Sequence, residues 1–121
     1  MHLRLVLTTE ADQHRAEALA DQLIKRRLAA CVSLTSVCSR YRWQGVIERS
    51  EEVQLLIKTS DQRLDDLLAA LTDLHSYDTP EILHWSAQAE PAYAAWAQEM
   101  ISSDAASSAQ EATPGNAPPA G

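Results

Sequence analysis

Residues 32–58 read VSLTSVCSRYRWQGVIERSEEVQLLIK, and the alternation of apolar and polar residues along them decides the fold. Val32 with Leu34, and later Tyr41 with Trp43, fall at period two, the mark of a strand with one buried face. The phase changes near Thr35-Ser36-Val37, which predicts a bulge or bend there. Gln44-Gly45 supplies a two-residue hairpin turn, because glycine tolerates the positive φ that such turns require. The return strand starts at Val46-Ile47, crosses the polar residues Glu48 to Glu52, and alternates again through Val53, Leu55 and Ile57. A strand of about twelve residues reaches roughly 40 Å, whereas a helix of about sixteen covers roughly 24 Å. The hairpin should therefore overhang its own domain, and edges left unpaired in that way are normally covered by another chain. The expectation is a closed homo-oligomer.

Upstream, Leu3, Leu5 and Leu7 alternate with His2, Arg4, Val6 and Thr8, which predicts a half-buried strand. Thr9-Glu10-Ala11-Asp12 reads as a helix start with Thr9 as N-cap. Ala16, Leu19, Ala20, Leu23, Ile24 and Leu28 then share one face of a helix. Downstream, Ser60-Asp61 opens a second helix whose buried stripe is Leu64, Leu67, Leu68, Leu71 and Leu74, with Asp65, Asp66 and Asp73 as its solvated face. Pro80 lacks an N–H and biases Thr79 toward extended geometry, so that helix ends before them and Ile82 to Trp85 forms a fourth strand. Pro91 starts a last helix, with Tyr93 and Trp96 turned to the core. The order is β-α-β-β-α-β plus a C-terminal helix, an α+β ferredoxin-like plait with a long central hairpin, both long helices on one face and the other face open. Residues 1–101 make up this domain. Residues 102–121, mostly Ser, Ala, Pro and Gly, bury too little surface to order and read as a disordered tail.

With 121 residues and 45% hydrophobic content, the chain is one domain with a sufficient core. Its formal charge of −7 argues against nucleic acid as a partner, since counterion release rewards a basic face. Lys25-Arg26-Arg27 is a local exception, and at a helix end it suits the dipole. No run of apolar residues is long enough for a membrane span, and the N-terminus lacks the layout of a signal peptide, so the expected location is cytoplasmic. Cys31 and Cys38, on one extended strand, stand roughly 23 Å apart, too far for a disulfide or a shared metal. No nucleophile has an adjacent base and no carboxylates pair as acid and base, which argues against an enzyme.

The densest mixture of ionisable, aromatic and backbone-restricting residues is His75-Ser76-Tyr77-Asp78-Thr79-Pro80-Glu81-Ile82. A helix-to-strand corner of this kind can be a ligand site, or simply a histidine cap followed by a proline turn.

Four stretches together resemble the divalent-cation tolerance (CutA) family over residues 3–101. They are Leu28-Ala29-Ala30-Cys31-Val32, then Tyr41-Arg42-Trp43-Gln44-Gly45 with Glu52-Val53 and Ile57-Lys58-Thr59, then His75-x-Tyr77-x-Thr79-Pro80-Glu81-Ile82, and finally Tyr93-x-x-Trp96. The resemblance implies a tight homotrimer built on the hairpin, similar to PII-type signalling trimers, and a link to tolerance of copper and other divalent cations. It further implies copper ligands at Cys31 and His75, with no obligatory cofactor. A second cysteine of that pattern is Thr8 here, so one soft ligand is missing and the site would be weaker. Cys31 also reads, from the residues alone, as a small buried hydrophobe following a helix. Trp43, Lys58, Tyr77 and Glu81 are expected to line a cleft between subunits, with Lys58 and Glu81 paired. That cleft is either an interface network or the site of a small anionic effector that the trimer reports to an unknown protein partner.

Overall fold

The computed structural model describes residues 1–102. The tail expected to be disordered lies, from residue 103 onward, outside the described residues. Seven elements follow in order: β1 (His2–Glu10), α1 (Gln13–Lys25), β2 (Cys31–Trp43), β3 (Val46–Thr59), α2 (Asp61–Leu74), β4 (Ile82–Gln88) and α3 (Pro91–Ile101). The strands form one antiparallel sheet in the order β2-β3-β1-β4. This is the ferredoxin-like α+β plait with a C-terminal helix added.

β1 is an inner strand, with β3 on one side and β4 on the other, so both of its faces carry apolar residues. Val6 and Thr8 are fully shut from solvent and face the helices, whereas Leu5 and Leu7, expected to be the inward set, lie half-buried on the opposite face. The strand also runs further than expected. Thr8, Thr9 and Glu10 pair with Leu55, Gln54 and Val53, and threonine's branched Cβ suits that pleat. The N-cap of α1 is consequently Asp12, whose carboxylate accepts the Arg15 amide at 2.8 Å, and not Thr9. That bond is the first cause holding the Asp12 carboxyl below its ordinary range.

α1 ends in a Schellman turn. Arg27 adopts φ 57, its amide reaches Ile24 O, and the Leu28 amide reaches Leu23 O. Leu23 and Leu28 are both buried, which supplies the apolar contact that accompanies this motif, while Ile24 points to solvent. α2 buries Leu64, Leu67, Ala70 and Leu71, with Leu68 and Leu74 at the border, and Ser60 precedes it without a side-chain cap bond. The core of Val6, Leu23, Leu55, Ile57, Leu67 and Leu71 lies between the two helices and the sheet.

α3 departs from expectation. It buries Ala94, Ala97 and Ile101, small residues that let the helix approach closely, and leaves Tyr93 and Trp96 half-buried against each other at 5.6 Å. Its last carbonyls are satisfied by two arginines, Arg27 Nη1 to Met100 O at 2.8 Å and Arg63 Nε to Ile101 O at 3.1 Å. Its first turn, at Glu90 and Tyr93, borders a cavity with Leu3, Leu5, Lys58 and Ala87. One end of the face expected to be open is therefore covered.

Pairing of β1 with β3 stops at Glu10 and Val53, so Val37–Trp43 and Val46–Glu52 continue alone as a two-stranded arm. The β2–β3 register is unbroken from Cys31↔Lys58 to Trp43↔Val46, with no bulge at Thr35-Ser36-Val37. The phase change in the sequence has another cause: Val32 and Leu34 face the helices, while Tyr41 and Trp43, an odd number of residues on, face the other side. At the tip Gln44 has φ 49 and Gly45 has φ 80, a type I′ turn. A Cβ on Gly45 would meet nothing within 4 Å, so Gly45→Ala should cost only backbone strain. The expected loss is about 1–2 kcal/mol, and Gln44→Asn should recover a few tenths, both read from urea unfolding midpoints at one protein concentration.

Candidate functional site

The corner between α2 and β4 lies against the end of β1 and the root of the arm. Glu10, in phase with Val6 and Thr8, is 1% exposed and carries its carboxylate into the interior. That carboxylate accepts the Ala11 amide at 3.1 Å, the Ser76 amide at 3.1 Å and the Ser76 hydroxyl. All three donors are uncharged groups. His75 completes helix α2 through its backbone amide, which reaches Leu71 O. Its imidazole is fully buried: Nδ1 accepts the Tyr77 amide at 3.0 Å, which leaves Nε2 as the N–H facing Thr8 Oγ1 at 3.1 Å. Glu10 Oε2 lies 3.7 Å from Nδ1.

Thr8, His75 and Glu10 thus line up as a hydroxyl, an imidazole and a carboxylate, the set used by nucleophilic hydrolases. The arrangement cannot perform that chemistry. Thr8 is 0% exposed, and the lone pair on Nδ1 is turned to an amide rather than its N–H to the carboxylate. What the network does is clamp residues 75–77 to β1.

From that clamp Tyr77 extends toward the arm and donates its hydroxyl to Glu52 Oε2 at 2.7 Å. Burial first, then this bond to an anion, pushes the Tyr77 phenol well above the usual tyrosine range. The Tyr93 phenol is also raised, by burial first and then by Cys31. Folded chains keep these protons while unfolded ones release them near pH 10, so stability is intact below about pH 10 and falls as pH rises beyond it. Tyr77→Phe should flatten that fall in urea titrations taken from pH 8 to pH 11, whereas an unchanged slope would mean that Tyr77 does not hold its proton.

Trp43, Tyr77 and Glu81 line one open cleft of about 950 Å³, together with Tyr41, Glu52 and Asp78. Lys58 is elsewhere. It pairs with Cys31 across the β2–β3 ladder and with Leu5 on β1, and its Nζ lies 3.2 Å from Ser33 Oγ and 3.8 Å from Cys31 Sγ. Glu81 precedes Ile82, which pairs with Thr8, so three positions along β1 separate the two within one chain. Cys31 lies on the sheet face of Lys58 and Leu5, near Tyr93, whereas His75 bonds Thr8 on the helix face. A copper ion held by both within one subunit does not fit this arrangement: the sheet separates the ligands, and both imidazole nitrogens are engaged. Among the described residues no three of His, Cys, Asp and Glu group as a metal site. Both cysteines are free thiols.

In the sequence alone Glu10, Ser76 and Glu52 carried no site role, although Ser76 lies within the stretch 75–82 and Glu52 among the residues that carry the family resemblance. The signal for Glu10 was its phase with Val6 and Thr8.

A family model, CutA1 divalent ion tolerance protein, matches residues 4–100. The chain belongs to that family. The divalent-cation tolerance protein CutA of Pectobacterium atrosepticum is 44% identical over 80 residues, covering 65% of this chain and 73% of that protein. Among solved structures, CutA from Synechococcus elongatus PCC7942 matches with a TM-score of 0.81 and 41% identity, over 84% of this chain and 91% of that one. The periplasmic divalent cation tolerance protein CutA from Archaeoglobus fulgidus matches with a TM-score of 0.79 and 27% identity, over 84% of this chain and all (100%) of that one. No helix among the described residues of this CutA chain is long and apolar enough to cross a membrane.

Proposed function

We propose that this CutA chain serves divalent-cation tolerance as a cytoplasmic homotrimer that binds divalent metal ions, copper foremost, between its subunits and without chemical turnover. The observation that carries the reading is the projecting arm, on which Trp43 is 60% and Ile47 69% exposed. A bare two-stranded ribbon with large apolar side chains in water is marginal by itself, and a neighbouring subunit is its natural cover. If Cys31 and His75 both hold the metal, they come from different subunits, and His75 must release Tyr77 or Thr8 to do so. Absence of a catalytic step accords with the burial of Thr8.

The aromatic walls of the cleft support a second reading, a PII-like signalling or scaffold module whose cleft holds a small effector. Glu52, Asp78 and Glu81 outnumber Arg40 among the charged residues that line the cleft, so an anionic effector there calls for a further basic group from a neighbouring subunit, for which Lys58 is the candidate.

Native mass spectrometry with graded Cu(II) tests both assembly and metal content. The expected result is a trimer that takes up a fixed number of copper ions per subunit, with Cys31→Ser reducing the number and leaving the trimer intact. Non-saturating uptake would favour the effector reading, for which Lys58→Ala should weaken effector binding without dissociating the trimer. A monomer at every concentration would overturn the assembly.

A further inference from the structure

The chain has two cysteines and two lysines, and one of each meet across the β2–β3 ladder. Cys31 is the direct partner of Lys58, so the two side chains leave the sheet side by side on one face. Lys58 Nζ donates to Ser33 Oγ at 3.2 Å and lies 3.8 Å from Cys31 Sγ, so the first bond keeps the amine beside the sulfur. Tyr93 brings its buried hydroxyl next to the same thiol. Cys31 is half-buried, within reach of a small oxidant.

Cys38 is the comparison that the chain itself provides. It stands seven residues along the same strand and is exposed. Its partner across the ladder is Glu51, and its neighbours along that face are Ser36 and Arg40. A carboxylate and a guanidinium that stays protonated are poor nucleophiles, and neither lysine stands on this part of the ladder. The two cysteines are roughly 23 Å apart along β2, so neither can serve the other as a resolving thiol. Cys31 has a nitrogen nucleophile in contact, and Cys38 has none.

We propose that Cys31 and Lys58 form a redox switch, in which hydrogen peroxide oxidises the thiol and the lysine amine traps the product as a covalent sulfur–nitrogen link. In the first step the sulfur attacks a peroxide oxygen. An S–O bond forms, the O–O bond breaks, one water leaves, and Cys31 becomes a sulfenic acid. In the second, Lys58 gives one proton to solvent and its nitrogen lone pair attacks the sulfur. The S–N bond forms, the S–O bond breaks, and the hydroxyl leaves as water with an amine proton. In sum, one thiol, one amine and one hydrogen peroxide give one sulfenamide and two waters. Sulfenic acids condense in this way with backbone nitrogen, and here the flexible lysine stem brings the nitrogen to the sulfur. A thiol reductant reverses the link: one thiol attacks the sulfur and expels the amine, and a second frees Cys31 as the reductant's disulfide forms. The inference stands apart from the metal reading, although both draw on one sulfur: a linked Cys31 has no thiolate to offer a metal.

The test uses the full chain with Cys38→Ser, treated with hydrogen peroxide in metal-free buffer and read by intact mass and peptide mapping. The expected result is a loss of about 2 Da, a cross-linked peptide pair joining Cys31 to Lys58, and the starting mass restored by dithiothreitol. Lys58→Arg in the same background keeps a cation but removes the nucleophile. Its Cys31 should gain about 16 or about 32 Da and be capped by dimedone, a reagent for sulfenic acids, with circular dichroism confirming the fold. In the unaltered protein dimedone should cap Cys38 and spare Cys31. The proposal is overturned by a Cys38→Ser protein whose Cys31 resists peroxide, or whose Cys31 takes up oxygen or dimedone while Lys58 stays unlinked. A link that gains about 14 Da, and so retains oxygen between sulfur and nitrogen, overturns the second step.

Discussion

Glu10→Ala should destabilise the fold by about 3–5 kcal/mol, the largest loss expected from any single substitution at the candidate site. The carboxylate is 1% exposed and is the acceptor for three donors: the Ala11 amide, the Ser76 amide and the Ser76 hydroxyl. Alanine removes the acceptor and leaves those part-buried donors unpaired, at about 1–3 kcal/mol for each that finds no water. Glu10→Gln is the informative companion. Its amide keeps one carbonyl oxygen but presents an NH₂ to a group that also donates, so an intermediate loss of about 1–2 kcal/mol is expected. Equilibrium unfolding in urea at a fixed protomer concentration reads both losses, and the amide of Ser76 should exchange faster in each variant, because it is Glu10 that protects it. A loss below about 1 kcal/mol in Glu10→Ala would mean that the corner is held by something other than this carboxylate.

The consequence reaches the cleft. Ser76 is fixed by Glu10, the Tyr77 amide by His75, and the Tyr77 hydroxyl by Glu52 on the arm. A chain of hydrogen bonds thus runs from the end of β1 through the corner to the root of the arm. Loosening its first member should move a wall of the cleft without touching any residue that lines it.

The sheet was legible because strands advertise themselves through alternation, and the order of elements then leaves few topologies. Local readings failed where one residue type serves two purposes. Threonine is both a good N-cap and a good strand residue, and at Thr9 the pairing with Gln54 decided between them. The phase change at Thr35-Ser36-Val37 looked like a bulge because a bulge and a change of apolar face leave the same trace in sequence; only the register, continuous to Trp43↔Val46, separates them. The clamp at Glu10 was hidden for a different reason. Two of its three donors are backbone amides, which have no letter in the sequence, and Ser76 is an ordinary loop residue until the fold brings it to β1. Trp43, Tyr77 and Glu81 lie in one cleft because the arm folds beside the corner, whereas Lys58 pairs with Leu5, further along β1 than any cleft residue.

Excising the arm should convert the proposed trimer to a folded monomer. Replacing residues 40–49 with Asn-Gly sets the new turn between Ser39 and Ser50, which pair across the ladder in the same hydrogen-bonding phase as Trp43 and Val46, four positions away. Nothing in the core is altered, since the buried cluster on β3 begins at Val53. The residues removed include Tyr41, Trp43, Val46 and Ile47, large apolar side chains exposed in the single chain. Beyond the last β1 pair the arm extends seven residues, a reach of roughly 23 Å, enough to cross much of a neighbour's surface. A stable interface needs about 800 Å² from each partner, and the remaining exposed apolar residues on the sheet, chiefly Leu83 and Trp85, are too few to supply it. Sedimentation velocity should therefore show one-third of the native mass, with the circular dichroism of a folded plait and unfolding that no longer depends on protein concentration. A shortened chain that still forms trimers would assign the assembly to the face bearing Leu83 and Trp85, and Trp85→Asp in that background would then be the substitution that separates the subunits.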